Sequence, residues 1–416
     1  MQYKGVHRPV KEIARALGVD GILEGSVMED HGRIRISVQL VHAPSDTHVW
    51  ARSYIRDERD VLVLQRELAE NVVKEIDSVA VPARISTKSV SAAAHDAYLH
   101  GRFDWFKGNN DNARNFFEKA IQLQPDYAAA YSGLADYYIA GTTEGFFAPQ
   151  DALPKGQAIA RKALELDDSS ADAHNSMAAI NLFYLWNWTA AEKESKRAIE
   201  LNPNFAEAYH LYAYSLLTLG RANEAVEAER KSQELDPFAR PSSLGYVLAS
   251  AGRYQEAENE LQLKANTLPK EPDLHLQLSR LYLAQGREKE SMNEFSEMLR
   301  AEGGEKLAQE VQSVYTRRGN RGVQAWRLAH LEQIVQLWKL GEAKKTSGQI
   351  YVAPTETAVA YARLGQNDQA MRWLSKAYET HDPGIVKLQW ELDLNGLHHD
   401  ARYRALVTQL GLTVAF

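Results

Sequence analysis

The 416-residue sequence contains no cysteine, which excludes disulfides, thiolate nucleophiles and zinc sites built from cysteine. It has no apolar run near the roughly 18–20 residues of a membrane-spanning helix, and its first residues lack the apolar core of a signal peptide. Basic residues are not in excess, because 48 lysines and arginines face 55 aspartates and glutamates. These features disfavour nucleic-acid binding and predict a cytoplasmic protein, or a periplasmic one if an upstream anchor is missing.

Sequence motifs that mark common enzymes are absent as well. The sequence has no P-loop, Rossmann glycine motif, zinc-protease helix, nucleophile elbow or EF-hand loop. The run HHD (398–400) has a generic spacing for a metal ion, and a solvated turn or a helix cap explains it better. We therefore predict no catalytic residue, no cofactor and no metal.

What the sequence does contain is a repeated pattern. The stretch FFEKAIQLQPDYAAAYSGLADYY (116–138) predicts two amphipathic helices that meet at a proline, and SKRAIELNPNFAEAYHLYAYSLL (195–217) repeats it. Pro203 and Pro237 are 34 residues apart, as are Gly252 and Gly286. A 34-residue unit of two helices is the signature of the tetratricopeptide repeat (TPR).

Small residues recur where such helices must approach closely. Ala135, Ala213 and Gly245 are expected between the two helices of a unit. The alanines expected between neighbouring units are Ala120, Ala163, Ala198 and Ala377. Because one helix pair cannot bury its own faces, the units stack. We predict a mostly α-helical fold, a right-handed TPR α-solenoid of about seven or eight helix pairs.

The register of the repeat predicts the domain boundaries. We place a partial α+β domain at 1–82, a linker at 83–93, the solenoid at 94–384 and a C-terminal cap at 385–416. The predicted units span 94–127, 128–170, 171–205, 206–237, 238–271, 272–305, a degenerate 306–350, and 351–384. The cap is expected because the open end of a solenoid needs a cover.

The first 82 residues follow a different pattern. RIRISVQLVH (33–42) alternates strictly, with Ile34, Ile36, Val38 and Leu40 on one face, which predicts a half-buried strand. DGILEGSVMED precedes it and THVWARSYIRD follows it, joined by the turns HG and APSD. These segments predict a three-stranded antiparallel meander. RPVKEIARALG and VLVLQRELAENVVKEIDSV, on either side, have helical spacing.

The stretch from VKEIARALG to ENVVKEI (10–76) resembles the second half of the TolB-like (FlgO-like) domain. The resemblance continues through LFYLWNWTAAEKESKRAIELNPNFAEAY and LHHDARYRALVTQLGL. Bacterial proteins of this kind carry TPR arrays after the domain and an effector before it: a CadC-type winged helix, a class III adenylyl cyclase or a Ser/Thr kinase. The resemblance implies a regulatory or sensory C-terminal part.

One departure from that family is at the start of the chain. The family domain has a further strand–helix–strand before the equivalent of YKG, so we expect a fragment or a natural short form. Part of the face formed by Ile34, Ile36, Val38 and Leu40 would then be exposed at an open sheet edge. Exposed edges recruit strands from other chains, so this domain is expected to self-associate or to be poorly ordered.

The concave wall of a TPR array is built from first-helix residues that are not used in packing. Aromatic residues and arginine are the usual anchors of a bound segment. The predicted peptide groove consists of Tyr98, Arg102, Asp136, Asn175, His210, Tyr214, Tyr246 and Arg280. Tyr214 and Tyr246 should lie side by side, with His210 one turn before Tyr214. These residues could instead form an ordinary polar wall.

Three further sets of residues bear on where a partner could bind. The Lys/Asn carboxylate clamp of some TPR proteins is missing, because its positions hold Tyr98, Arg102, Ser132 and Asp136. The aromatics near the inter-helix turns, either core packing or a docking ridge, are Trp105, Phe106, Phe146, Phe147, Trp186 and Trp188. The glutamates assigned to a solvated convex face are Glu224, Glu227 and Glu229.

The leading hypothesis is a non-enzymatic scaffold that binds a protein or peptide segment in the groove. It implies no nucleic-acid or membrane partner. The alternative is an enzyme with an unrecognised active site in the groove or at the junction of the two domains. An enzyme would need a cluster of titratable residues, and the sequence contains no recognisable set.

Overall fold

A computed structural model of the chain describes residues 12–14, 19–30, 33–42, 47–57, 67–68, 71, 90–107, 110–339 and 351–412. Its first twelve long helices pack as six consecutive pairs. They are α1 (Ala92–Phe106), α2 (Asn110–Leu123), α3 (Ala128–Thr143), α4 (Pro149–Leu166), α5 (Ala171–Phe183), α6 (Trp188–Leu201), α7 (Ala206–Thr218), α8 (Ala222–Leu235), α9 (Ser243–Ser250), α10 (Tyr254–Thr267), α11 (Pro272–Ala284) and α12 (Glu288–Ala301).

The remaining elements depart from this regular pairing. Helix α13 (Glu305–Lys339) occupies most of the predicted degenerate unit and is kinked at Gly319 (φ 62°, ψ −165°). Residues 340–350 of that unit lie outside the described ranges. The rest of the chain comprises α14 (Pro354–Arg363), α15 (Asn367–Glu379), two 3-10 helices at Pro383–Lys387 and Leu392–Leu397, and α16 (Ala401–Gln409).

Glycine fixes the turn inside three successive pairs. Gly220, Gly252 and Gly286 all have φ of 74°, a left-handed conformation that other residues rarely adopt. The next backbone N–H donates to a carbonyl five residues earlier, as from Arg221 to Leu216 at 2.9 Å. This bond closes the end of the first helix and turns the chain into the second. The repeated glycine–arginine dipeptides therefore specify the helix-pair geometry.

Close helix contacts lie where the sequence has small residues. Ala213 and Ala225, on the two helices of one pair, are fully buried in the same core. At Gly245 even a methyl group would lie 2.3 Å from Leu261 Cγ, inside the van der Waals limit. The tight packing, the paired helices and the N-terminal sheet confirm the predicted TPR solenoid fold.

Replacing Ala213 or Ala225 by leucine should therefore lower the free energy of unfolding by about 1–3 kcal/mol, because the contact has no room for a larger side chain. Chemical denaturation monitored by circular dichroism measures the change. Glu227→Ala on the exposed face of α8 is the matched control and should change stability by less than about 0.5 kcal/mol. Unchanged stability in both leucine variants would contradict the assigned helix register.

The N-terminal sheet has the order β1–β2–β3, with β1 at Gly21–Asp30, β2 at Arg33–His42 and β3 at Thr47–Asp57. Both pairings are antiparallel, which confirms the predicted meander. The turns at 31–32 and 43–46 lie outside the described residues, as do most of the flanking segments predicted to be helical.

The apolar face of β2 is covered at one end. Val38 and Leu40 are buried with Trp50 and Tyr54 of β3, whereas Ile34 and Ile36 are half-buried. The more exposed apolar side chains of this face belong to the edge strand β1. The exposed fractions are 47% for Leu23, which pairs with Leu40, and 67% for Val27, which pairs with Ile36.

The C-terminal helices pack back onto the first half of the solenoid. Tyr351 N–H donates to the Gly145 carbonyl at 2.9 Å, and Trp188 Nε1 donates to the Leu410 carbonyl at 2.9 Å. One core joins the two halves; its members include Ile139, Leu153, Ile180, Leu211, Leu374, Leu388, Tyr403 and Val407. Residues 385–412, expected to cover the open end of the last unit, thus reach across the concave side to α6.

Candidate functional site

The first helices of the pairs and the C-terminal part of the chain enclose a cavity of about 1790 Å³. Typical small-molecule sites occupy roughly 300–1,000 Å³. Six of the residues predicted to line a peptide groove lie on its wall: Arg102, Asp136, Asn175, His210, Tyr214 and Arg280. Tyr98 and Tyr246 belong to neighbouring packed regions instead.

The N-terminal wall of the cavity is a hydrogen-bonded polar cluster. Arg102 Nη1 lies 3.6 Å from Asp172 Oδ1, and Ser176 Oγ donates to Asp136 Oδ1 at 2.7 Å. Burial raises the pKa of Asp136 to about 7, although the Ser176 hydrogen bond and the Arg102 charge oppose the rise. Near neutral pH this carboxyl is therefore partly protonated, and its cost to stability grows as the pH rises from its ordinary pKa of 3.8 to about 7 and stays constant above that.

Tyr98 does not face a groove. Its ring lies 6.0 Å from that of Phe117 and 5.4 Å from that of Tyr127, measured between centroids. Burial raises its pKa above the ordinary value, as expected for a phenol packed in protein. Tyr98 is thus part of the packing between the first two helix pairs.

His210 is held by a buried glutamate. Its Nδ1 lies 3.0 Å from Glu229 Oε2 and 3.2 Å from Ser243 Oγ, and its ring centroid is 4.8 Å from that of Tyr214. Glu229 is only 1% exposed, so its assignment to the solvated convex face was wrong. Burying this carboxylate is tolerated because a histidine and a serine hydroxyl satisfy it.

The histidine–glutamate contact recurs between paired helices. His174 Nδ1 lies 2.6 Å from Glu194 Oε2, and His275 Nδ1 lies 2.7 Å from Glu294 Oε2. The sequence separations are 20, 19 and 19 residues for the contacts made by His174, His210 and His275. This spacing was the sequence signal that could have placed Glu229 inside.

Tyr214 and Tyr246 lie side by side, with ring centroids 6.2 Å apart and planes inclined by 23°. Both rings are half-buried, and Lys387 and Trp390 cover Tyr246. Trp390 Nε1 donates to the Tyr246 hydroxyl at 3.1 Å, and Lys387 Nζ lies 5.4 Å from the centroid of the Tyr246 ring. Burial raises the pKa of both tyrosines. The expectation that they lie outside the packing set is therefore wrong.

Arg280 is also occupied by the chain itself. It forms ion pairs with Glu391 and, at 3.2 Å, with Asp393. Arg363 binds both oxygens of Asp393, at 2.7 and 2.6 Å. Although burial opposes ionisation, these two arginines hold the pKa of Asp393 well below its usual range. We call residues 383–397, which fill this part of the groove, the return segment.

The aromatic residues near the inter-helix turns pack within the protein. Trp186 stacks on His381 with ring centroids 4.6 Å apart, and both residues have positive φ, 51° and 53°. Phe147 packs edge-on against Tyr137 at 5.2 Å. Trp188 is buried, and Trp105 and Phe146 are half-buried. The side chain of Phe106 lies outside the described residues.

Neither a metal-binding cluster nor a membrane-spanning helix occurs within the described ranges. No group of three or more histidines, aspartates and glutamates there is arranged to hold a metal ion. In the run 398–400, Asp400 caps α16 by accepting a hydrogen bond from the Arg402 N–H at 2.8 Å. Among the described helices, none combines the length and apolar character that crossing a bilayer requires.

Comparison with known proteins places two segments in the tetratricopeptide-repeat family, residues 97–127 and 195–227. A putative adenylate cyclase 3 of Rhizobium meliloti is 28% identical over 184 residues, which cover 42% of this chain and 31% of that protein. The transcriptional regulator HilA of Salmonella paratyphi A is 22% identical over 235 residues, 55% of this chain and 42% of HilA. The chain thus spans less than half the length of these two relatives.

Solved structures of TPR proteins align with parts of the chain. The structure of pilF from Pseudomonas aeruginosa covers 53% of this chain and 97% of its own, at 19% identity and a TM-score of 0.38. A tetratricopeptide repeat protein from Parabacteroides merdae covers 73% of this chain and 99% of its own, at 14% identity and a TM-score of 0.37.

Proposed function

We propose that this chain is a non-enzymatic interaction scaffold that binds a protein or peptide segment in the groove of its TPR solenoid. The proposal is supported by the way in which the return segment contacts the groove wall. Its Trp390, Glu391 and Asp393 contact Tyr246, Arg280 and Arg363 of the groove wall through one aromatic hydrogen bond and three ion pairs. A wall that holds one such segment has the chemistry to hold another.

The chemistry of the wall defines the guest. Arg280 and Arg363 present guanidinium groups, whose planar donors match a carboxylate. The Tyr246 hydroxyl accepts from an indole N–H. The preferred guest is therefore a peptide with an aromatic residue followed closely by acidic residues, as in the chain's own WELD (390–393).

The regulatory setting is part of the same proposal. The chain is the regulatory or sensory part of a bacterial signalling protein or transcription regulator. Its resemblance to TolB-like domains over 10–76 supports this setting, and so do the names of its two relatives. A partner that displaces the return segment would change the exposed surface of the last helices and pass a signal to an attached effector.

An enzymatic function of the cavity is less well supported than the scaffold function. Its best candidate is Asp136, whose raised pKa would suit proton transfer. That carboxyl accepts from the Ser176 hydroxyl. No hydrogen bond or ion pair joins Asp136 to a histidine or lysine in the described part of the chain, so nothing there forms a nucleophile–base pair with it.

A peptide added in trans tests the groove. The probe is VKLQWELDLNGL (386–397), and the host is the full chain carrying Trp390→Ala, which loosens the return segment without unpairing a charge. The peptide should raise the melting midpoint of this variant and leave that of the unaltered chain unchanged. A peptide with alanine for the tryptophan and asparagine for the second acidic residue is the control. Equal effects of both peptides, or none, would refute the proposal.

Self-association through the N-terminal sheet is a separate proposal about partners. The edge strand β1 exposes Leu23 and Val27, and exposed apolar edges pair with other chains. We expect the chain to form a reversible dimer that Leu23→Lys with Val27→Lys disrupts, as measured by sedimentation velocity over a range of concentrations. Glu24→Lys, on the opposite face of the same strand, is the control. A monomer at every concentration would contradict the proposal.

A further inference from the structure

The N-terminal wall of the cavity contains a carboxyl group that no cation neutralises. Asp136 of α3 is half-buried on this wall and accepts a hydrogen bond from Ser176 at 2.7 Å. It forms no ion pair with any described residue. Arg102 of α1, whose charge acts on Asp136, lies 3.6 Å from Asp172 instead. A cation that entered this part of the cavity would therefore meet an unpaired carboxyl group.

An amide without a partner lies on the same wall. Asn175 of α5 lines the cavity, although only 4% of the residue is exposed. Its Oδ1 is buried without a hydrogen-bond partner, and no hydrogen bond to a described residue holds its Nδ2. Proteins rarely leave a buried amide unsatisfied, because the loss of its hydrogen bonds to water is not repaid. Since neither end is fixed, a half-turn of this amide can present its oxygen to a ligand.

Contacts between three helices bring the carboxyl group and the amide together. Arg102 of α1 reaches Asp172 of α5, and Ser176, one turn further along α5, donates to Asp136 of α3. Ser176 also bonds the Asp172 carbonyl at 3.0 Å. Asn175 directly precedes Ser176, so Asp136 lies against the turn of α5 that carries Asn175. Both residues line the cavity there.

We propose that this stretch of wall is a subsite for an alkylammonium group, supplied by a lysine side chain of the segment that the groove binds. The ammonium group would donate to the Asp136 carboxylate and to the Asn175 amide oxygen. Apolar side chains of the same helices line the cavity and would contact the alkyl stem: Leu99, Phe103, Ile139 and Phe183. The subsite rests on the function proposed above, but its residues are not those that hold the return segment.

The free acceptors favour lysine over arginine. Ser176 occupies Oδ1 of Asp136, which leaves the other carboxyl oxygen for a guest. A compact ammonium group can use one such oxygen, whereas the planar fork of arginine is matched to both oxygens of a carboxylate. Asp136 and Arg280 line one continuous cavity, so a segment bound at Arg280 can extend along the wall to Asp136.

Binding at this subsite should depend on pH. Burial raises the pKa of Asp136 to about 7, so the carboxyl group must lose its remaining proton to pair with an ammonium group. The affinity should therefore be about tenfold lower at pH 6 than at pH 8, and nearly constant above pH 8. The other charged or titratable groups that act on Asp136 are Tyr98, Arg102, Asp172 and Glu207. Replacing Asp136 by asparagine separates its titration from theirs.

Fluorescence anisotropy of dansylcadaverine, a fluorescent primary alkylamine, tests the subsite on the full chain. The unaltered chain should bind this probe saturably, and dansylamide, which lacks the ammonium group, should bind at least about tenfold more weakly. Nα-acetyl-lysinamide should displace the probe, whereas the same compound acetylated at Nε should not.

Three variants assign the binding to the subsite. Asp136→Asn should weaken binding of the probe about 10–100-fold, the range of a hydrogen bond to a charged group, and should abolish the pH dependence. Asn175→Leu should weaken it about tenfold. Asp126→Asn, at an exposed position in the turn before α3, is the matched control and should bind unchanged.

Three results would overturn the proposal. They are an absence of saturable binding, equal affinities of Asp136→Asn and the unaltered chain at pH 8, and a failure of Nα-acetyl-lysinamide to displace the probe, which would indicate a site for free amines only. Melting curves check that each variant folds, and Asn175→Leu decides the question if Asp136→Asn does not. The peptide experiment depends on Trp390 and the acidic residues of the return segment, so the two proposals can fail separately.

Discussion

Asp393→Ala should lower the free energy of unfolding by about 3–5 kcal/mol, the usual cost of removing one partner from a buried ion pair. The carboxylate is held by Arg363 at two oxygens and by Arg280 at one. Both guanidinium groups would stay buried after the change. Arg280 would keep Glu391, whereas no other ion pair of Arg363 exists among the described residues.

Urea denaturation followed by far-ultraviolet circular dichroism measures this loss. Asp368→Ala is the matched control, because Asp368 also pairs with an arginine, Arg402, at 2.9 Å, but its side chain is 81% exposed. Such surface pairs contribute about 0–1 kcal/mol. If Asp393→Ala costs no more than Asp368→Ala, the return segment is not anchored in the groove as described.

Tyr246→Ala should be comparably damaging, at about 3–5 kcal/mol, the range for truncating a large buried aromatic residue. The ring packs beside Tyr214 and beneath Lys387, and its hydroxyl accepts from Trp390. Truncation would leave a cavity and an unpaired indole N–H. The paired Tyr214→Ala and Tyr246→Ala variant should therefore lose folded structure as well as any peptide binding.

Tyr246→Phe separates the two contributions. It keeps the ring and removes only the acceptor of the Trp390 N–H, so it should cost about 1–3 kcal/mol, the range for an unsatisfied buried donor. Thermal unfolding of the two variants under the same conditions gives the comparison. A Tyr246→Ala variant as stable as the unaltered chain would mean that Tyr246 is an open groove residue, as the sequence alone suggested.

The parts of the fold that could be predicted from sequence are those set by local chemistry. Gly220, Gly252 and Gly286 mark turns because the left-handed conformation is costly for other residues. Ala213 and Ala225 mark helix contacts because only small side chains fit there. The strand β2 was predicted at its observed bounds because strict alternation has one structural interpretation.

The contents of the groove could not be predicted in the same way. Tyr246 and Trp390 are 144 residues apart, and no periodicity of the sequence connects them. The acidic residues of the return segment fell within the predicted C-terminal cap, and their arginine partners lie on distant helices that the sequence does not connect to them. Glu229 was misplaced for a related reason. Its charge favours the surface, and its contacts with His210 and Ser243, which the sequence pattern did not reveal, stabilise it inside.

Amide hydrogen exchange of the full chain tests most directly whether the groove is occupied by the return segment. In that segment, Glu391 N–H donates to the Lys387 carbonyl at 2.8 Å and Leu394 N–H to the Glu391 carbonyl at 2.9 Å. Protection depends on stable hydrogen bonds and burial, so amides of residues 388–397 should exchange as slowly as those of α14, against which they pack. Exchange at the rate of an unstructured peptide, with α14 still protected, would contradict an occupied groove.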